Sequence, residues 1–99
     1  MRRLAALALA ALLAVGCSGG LESVRGTLIE VDGDLVAVKS FTIRSTGGET
    51  LMFEPSDGLL FGTGPLTHLS DHLRSGEPID VTYKTEGDRL IATAVADGD

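Results

Sequence analysis

The chain has no tryptophan, a single cysteine and only 4% aromatic residues in its 99. One cysteine excludes an internal disulfide framework, the usual support of a small exported fold. With four aromatic rings in all, three Phe and one Tyr, there is little material for stacking nucleobases. Basic residues are also scarce, 8 against 14 acidic, for a net charge of −6. An acidic chain repels nucleic acid and anionic membrane surface, so no nucleic-acid partner is expected. No apolar run reaches the roughly 18–20 residues that a membrane-spanning helix needs. Catalytic signatures are missing too. There is no G-x-S-x-G, no H-E-x-x-H and no Gly-Lys-Ser/Thr after the glycines of 58–64, and no cofactor or enzymatic activity is expected.

The first seventeen residues carry the most specific pattern. Met1-Arg2-Arg3 is a positive start, and Leu4–Val15 is an unbroken apolar run of twelve. Gly16 then provides a small residue before Cys17. A charged n-region, a short apolar h-region and a small-residue exit are the parts of a secretory signal. Ala14-Val15-Gly16-Cys17 resembles the lipobox of bacterial lipoproteins. That family prefers leucine where this chain has Ala14, with Leu13 one place further back. The resemblance implies cleavage after Gly16, lipidation of Cys17 and a durable lipid anchor in the membrane. It also implies an exported protein, on the outer membrane facing the periplasm if the cell is Gram-negative and on the outer face of the cell membrane otherwise. Ser18 after the cysteine matches the outer-membrane sorting pattern. The alternative is an ordinary cleaved signal with a chance cysteine.

The expected organisation is a signal peptide over 1–16, a lipidated Cys17 and tether to residue 23, and one domain over 24–99. The 99 residues less the first 16 leave 83, a single small domain. Without Arg2 and Arg3 the balance becomes 6 basic against 14 acidic, a net −8. The tether, Ser18–Ser23, spans at most about 20 Å. A small core without disulfides favours a closed barrel, which also removes exposed strand edges.

Strand signals begin at Val24. Val24–Val31 is rich in β-branched residues and runs into Asp32-Gly33-Asp34, a hairpin signal. Leu35–Arg44 follows. Its apolar alternation changes phase between Val38 and Phe41, which predicts a bulge near Lys39-Ser40. Ser45–Gly48 is the next turn, and Thr50–Glu54 a short third strand. Phe41 and Phe53 are expected in the core. Pro65 opens a helix over 65–74, with Leu66, Leu69 and Leu73 on its buried face. Gly76 and Pro78 end it. Ile79, Val81 and Tyr83 alternate with polar residues as a fourth strand, Glu86-Gly87-Asp88 turns, and Leu90–Ala96 is the fifth. Asp97–Asp99 is read as a polar tail.

Three strands, a helix and two strands is the order of an OB-like Greek-key barrel. The segment Leu73–Tyr83 also resembles the closing half of small exported bacterial domains of unknown function, where a helix ends at L-x-x-G before V-x-V-x-Y. An SH3-like barrel is the alternative.

Three features are candidates for function. Asp32 and Asp34 flank Gly33, while Glu86 and Asp88 flank Gly87. In an OB barrel these turns lie toward one side, so four carboxylates can converge on a hard cation such as calcium. The competing reading is ordinary turn chemistry. His68 and His72 are four apart and share a helix face, with Asp71 or Glu77 the nearest further metal ligands. The competing reading is two histidines on a solvated face. Leu59-Leu60-Phe61 either plugs the barrel under the helix or forms a partner patch. The expected function is a non-enzymatic binding module recognising a protein or glycan. The second reading is a small metal-binding lipoprotein.

Overall fold

The computed structural model describes residues 20–34 and 37–98. The signal segment, Cys17 and Leu35-Val36 lie outside the described residues. Five strands form a closed barrel: β1 (Glu22–Gly33), β2 (Val38–Ser45), β3 (Thr50–Pro55), β4 (Ile79–Glu86) and β5 (Arg89–Asp97). A short 3-10 turn at Leu66–His68 leads into α1 (Leu69–Ser75) between β3 and β4. Around the barrel the order is β1-β2-β3-β5-β4, with β4 returning to β1. This is the OB-like arrangement that the element order predicts. Neighbours are antiparallel except β3 and β5, which run parallel and pair at Glu54↔Ile91 and Pro55↔Ala92.

Bulges set the phase of the core-facing residues. On β2, Gly33 pairs with Val38 and Asp32 with Ser40, so Lys39 is the extra residue. That is the predicted bulge, and it lets Val38 and Phe41 both face inward at a spacing of three. Ile29 is likewise extra on β1, between the pairs Leu28↔Ile43 and Glu30↔Thr42. It is turned outward while Leu28 and Val31 point in. On β5, Thr93 is the extra residue between the partners of Thr82 and Tyr83, which puts both Ala92 and Val95 in the core.

Gly26 is the corner of the barrel. It pairs with Ser45 on β2 and with Ile79 on β4, so β1 leaves one ladder and joins the other there. A Cβ at this position would lie 2.5 Å from the Arg44 carbonyl oxygen and 3.0 Å from Ile43 Cδ1. Only a residue without a side chain lets the backbones approach so closely.

The core is built on Leu28, Phe41, Ile43, Phe53, Leu69, Ile79, Val81, Ala92 and Val95, all at 3% exposure or less. Phe41 and Phe53 pack with centroids 5.4 Å apart, and Tyr83 meets Phe53 edge-on at 5.2 Å. These are the offset geometries that aromatic quadrupoles favour. Buried Ser45 is satisfied by the Glu49 amide, which donates to its Oγ at 3.0 Å.

Several sequence expectations need correction. β1 takes in Glu22 and Ser23, shortening the tether. The first turn lies later than Asp32-Gly33-Asp34, because Asp32 and Gly33 are still paired in the ladder. The helix is split into a 3-10 turn and a seven-residue α1. Its buried face is narrower than three leucines: Leu69 is fully buried, whereas Leu73 is 38% exposed. A two-turn helix covering one barrel end needs a single anchor. Asp97, read as tail, closes β5 opposite Ile79. Among the described residues no helix is long and apolar enough to cross a membrane.

Candidate functional site

The Leu59-Leu60-Phe61 segment divides its labour. Phe61 is buried, Leu59 is half-buried and Leu60 is 50% exposed. The Phe61–Gly64 segment is a tight turn in which each end donates to the other, Phe61 N to Gly64 O at 2.9 Å and Gly64 N to Phe61 O at 2.8 Å. Gly62 N donates to Val95 O at 2.7 Å, fastening the turn to β5. The Phe61 ring thereby becomes the wall of a cleft of about 640 Å³. The cleft opens between this turn, the helix and the end of β5, with His68, Asp71, His72 and Asp97 around it.

His72 is the most constrained of these side chains. Its ring stacks on Phe61 with centroids 4.9 Å apart and planes at 30°. Its Nδ1 lies 3.2 Å from the carbonyl oxygen of Glu77. A carbonyl only accepts, so Nδ1 is the donor in that hydrogen bond. Nε2 lies 2.9 Å from Asp97 Oδ1, with the imidazole 12% and the carboxylate 68% exposed. His72 thus departs from the expectation of a solvated face. Helix position alone places it away from the leucine stripe, but Phe61 of the 61–64 turn stacks on it. His68 keeps to the expectation and is exposed. Its ring stands 6.4 Å from Phe61, and Gly64 gives it room, since a Cβ there would meet its ring at 3.4 Å. Asp71 is held by Arg74 at 2.6 Å.

The turn carboxylates are placed differently. Arg89, at the start of β5, reaches Glu54 on β3 at 2.6 Å, and Ala37 and Val38 line a groove with Pro55. Asp34 is engaged within its own turn, where Oδ1 accepts from Ala37 N at 2.8 Å. Glu86 pairs with Lys84 at 3.0 Å. Asp32 is exposed at the end of β1, and Asp88 is exposed beside Arg89. Among the described residues, no group of three or more His, Cys, Asp or Glu side chains is placed so that it could hold a metal ion.

Charge on the barrel wall is organised in pairs. Arg25 donates to Asp80 through Nε at 2.7 Å and Nη2 at 3.1 Å. Hydrogen bonding from Arg25 holds the Asp80 carboxyl below its ordinary pKa. Arg89 does the same to Glu54. Burial, then the Glu22 carboxylate, raises the Tyr83 phenol above its ordinary value.

A second groove, of about 310 Å³, is apolar and is bordered by Val38, Pro55, Leu59, Leu60 and Leu66. Phe41 and Phe53 are core residues and offer no stacking surface. Asp97 is the cleft residue that sequence reasoning missed. Phe61 is buried, as a barrel plug would be, but its place as a cleft wall was not legible, and Asp97 carried no signal.

No family model and no curated protein sequence matches the chain. Among solved structures it is similar to one described as the crystal structure of Ag(I)CusF, with a TM-score of 0.56 and 12% identity. The match covers 80% of this chain and 99% of that one, and the likeness is one of fold.

Proposed function

We propose that the chain is a lipid-anchored envelope protein whose OB-like barrel is a non-enzymatic binding module. The anchor reading rests on Arg2-Arg3, the apolar run Leu4–Val15 and Gly16-Cys17. The observation that carries the binding reading is the cleft walled by Phe61, His72 and Asp97. Because β1 begins at Glu22, four residues separate the barrel from Cys17, five Cα–Cα steps and at most about 18 Å of chain. The domain therefore sits close to the bilayer, and its partner is a protein or glycan of the envelope.

Two measurements test this reading. Cys17→Ser is expected to release the protein from the membrane fraction and to leave it without the mass of the lipid; retention in the membrane at unchanged mass refutes the anchor. Crosslinking in intact cells is expected to capture a defined partner through the cleft, and a yield unchanged in Phe61→Ala or Asp97→Ala refutes the cleft as the binding surface.

The second reading, a small metal-binding lipoprotein, is favoured by one observation: the close approach of His72 Nε2 to Asp97. The turn carboxylates Asp32, Asp34, Glu86 and Asp88 support it less, since Asp34 and Glu86 already have partners in the protein.

A further inference from the structure

We infer that Asp57-Gly58 is a site of spontaneous backbone modification, where the aspartate closes to a succinimide and reopens as isoaspartate. The chain has no asparagine, so this chemistry falls to aspartate before glycine. Three such pairs occur: Asp32-Gly33, Asp57-Gly58 and Asp97-Gly98. The reaction needs a glycine amide nitrogen free to turn on the preceding carboxyl carbon, and space for a five-membered ring. The fold withholds both from two of the pairs. Gly33 is paired with Val38 in the β1–β2 ladder, and a Cβ there would collide with the Ala37 carbonyl oxygen. Gly98 N donates to Pro78 O at 3.0 Å, and a Cβ on Gly98 would meet the Ile79 carbonyl carbon at 3.0 Å. Asp97 is itself held by His72.

Asp57-Gly58 differs on each count. Both residues are exposed, in the turn that Leu59 N closes by donating to Ser56 O at 3.1 Å. Gly58 takes φ +74°, which glycine reaches without strain at the third position of such a turn. The turn does not use the amide at that position. Among the described residues Gly58 N has no hydrogen-bond acceptor and the Asp57 carboxylate has no partner. Nothing lies within 4 Å of where a Cβ on Gly58 would stand. The step needs no reagent but water. Gly58 N attacks Cγ of the protonated Asp57 carboxyl, the N–Cγ bond forms, the bond from Cγ to the acid hydroxyl breaks, and water leaves with the amide proton. Water then opens the ring. Opening at Cγ restores aspartate, and opening at the α-carbonyl leaves the main chain running through Cβ and Cγ. The extra main-chain carbon lengthens the Ser56–Leu59 turn. That turn is fastened to β5 by Ser56 N donating to Ala92 O at 2.9 Å, and Leu59 borders the apolar groove, so the modification loosens both.

The test ages the full chain in detergent at neutral pH, beside a matched sample unfolded in urea. Peptides are then mapped by electron-transfer mass spectrometry, which distinguishes isoaspartate from aspartate at equal mass. In the folded chain, isoaspartate is expected at 57 roughly tenfold faster than at 32 or 97, the factor for giving up one backbone hydrogen bond. In urea the three positions are expected to converge. Asp57→Glu abolishes modification at 57, because its longer side chain closes a ring less readily, and leaves 32 and 97 unchanged. Hydrogen exchange at the Leu59 amide is faster in the aged form. An intact Asp57 in the aged folded chain, or equal rates at the three positions, overturns the assignment. A preference for 57 that persists in urea overturns the role given to the fold.

Discussion

Gly26→Ala tests the barrel corner. The new methyl would sit 2.5 Å from the Arg44 carbonyl oxygen, 3.0 Å from the Arg44 carbonyl carbon and 3.0 Å from Ile43 Cδ1. The first two neighbours are backbone and cannot rotate away. Nor can residue 26 retreat freely, because it is paired on one side to Ser45 and on the other to Ile79. Relief by about 1 Å must therefore loosen one of the two ladders. Overpacking of this kind costs about 1–3 kcal/mol, and a site pinned on both sides belongs at the upper end. Stiffening of the unfolded chain by Gly→Ala returns about 0.4–1 kcal/mol. The net is about 2 kcal/mol. For a domain of this size each kcal/mol moves Tm by about 4–8 °C, so a fall of about 8–16 °C is expected. Gly47→Ala is the control: its methyl would meet a single atom, Ser45 Oγ at 3.7 Å, so the unfolded-state term acts unopposed and its Tm is expected to rise by about 2–8 °C. Thermal melting followed by circular dichroism reads both. If Gly26→Ala melts with the parent, or if Gly47→Ala falls as far, the corner argument is wrong.

Three further outcomes are expected. Tyr83 is the chain's one tyrosine, and there is no tryptophan, so phenolate absorbance reports it alone. It titrates above the ordinary phenol range, and Glu22→Gln moves it down without abolishing the shift, since burial is the larger cause. Because the folded phenol holds its proton longer than the unfolded one, stability falls as pH rises past about 10; an unshifted titration curve contradicts this. On the acid side, Asp80 and Glu54 have lowered pKa values in the fold. Their contribution is present above the ordinary carboxylate range and lost as pH falls through about 4 and below. The double variant Arg25→Gln, Arg89→Gln is expected to show a shallower acid loss in urea midpoints between pH 6 and 3, and equal slopes refute the assignment. Phe53→Ala removes the ring between Phe41 and Tyr83 and costs about 3–5 kcal/mol. A urea-unfolding loss below about 1 kcal/mol would mean that Phe53 does not centre the core.

The barrel was legible because its strands alternate and its turns carry Gly and Asp. Even the Lys39 bulge could be read, since Val38 and Phe41 fall out of phase. The Ile29 bulge could not, because Leu28, Ile29 and Val31 are all apolar and alternation among them is ambiguous. The helix was overread at Leu73, where apolar spacing says nothing of how much barrel end remains to be covered. The cleft was legible in half: His68 and His72 share a face by spacing, but their floor and facing carboxylate come from residues 61 and 97. Such long-range contacts are set by barrel closure, which local pattern does not encode.

That closure runs along a short line. β3 and β5 pair at two positions, and the Phe61–Gly64 turn continues the seam by bonding to Val95. Every other neighbouring pair of strands shares four or more paired positions. The two sides of the seam are about 37 residues apart in sequence, so its closure costs loop entropy that only two paired positions offset. The barrel then behaves as a sheet with a clasp. Partial opening frees the clasp before the ladders. In native-state hydrogen exchange the amides of Ser56 and Gly62, which donate across it to Ala92 and Val95, exchange ahead of those in β1 and β4.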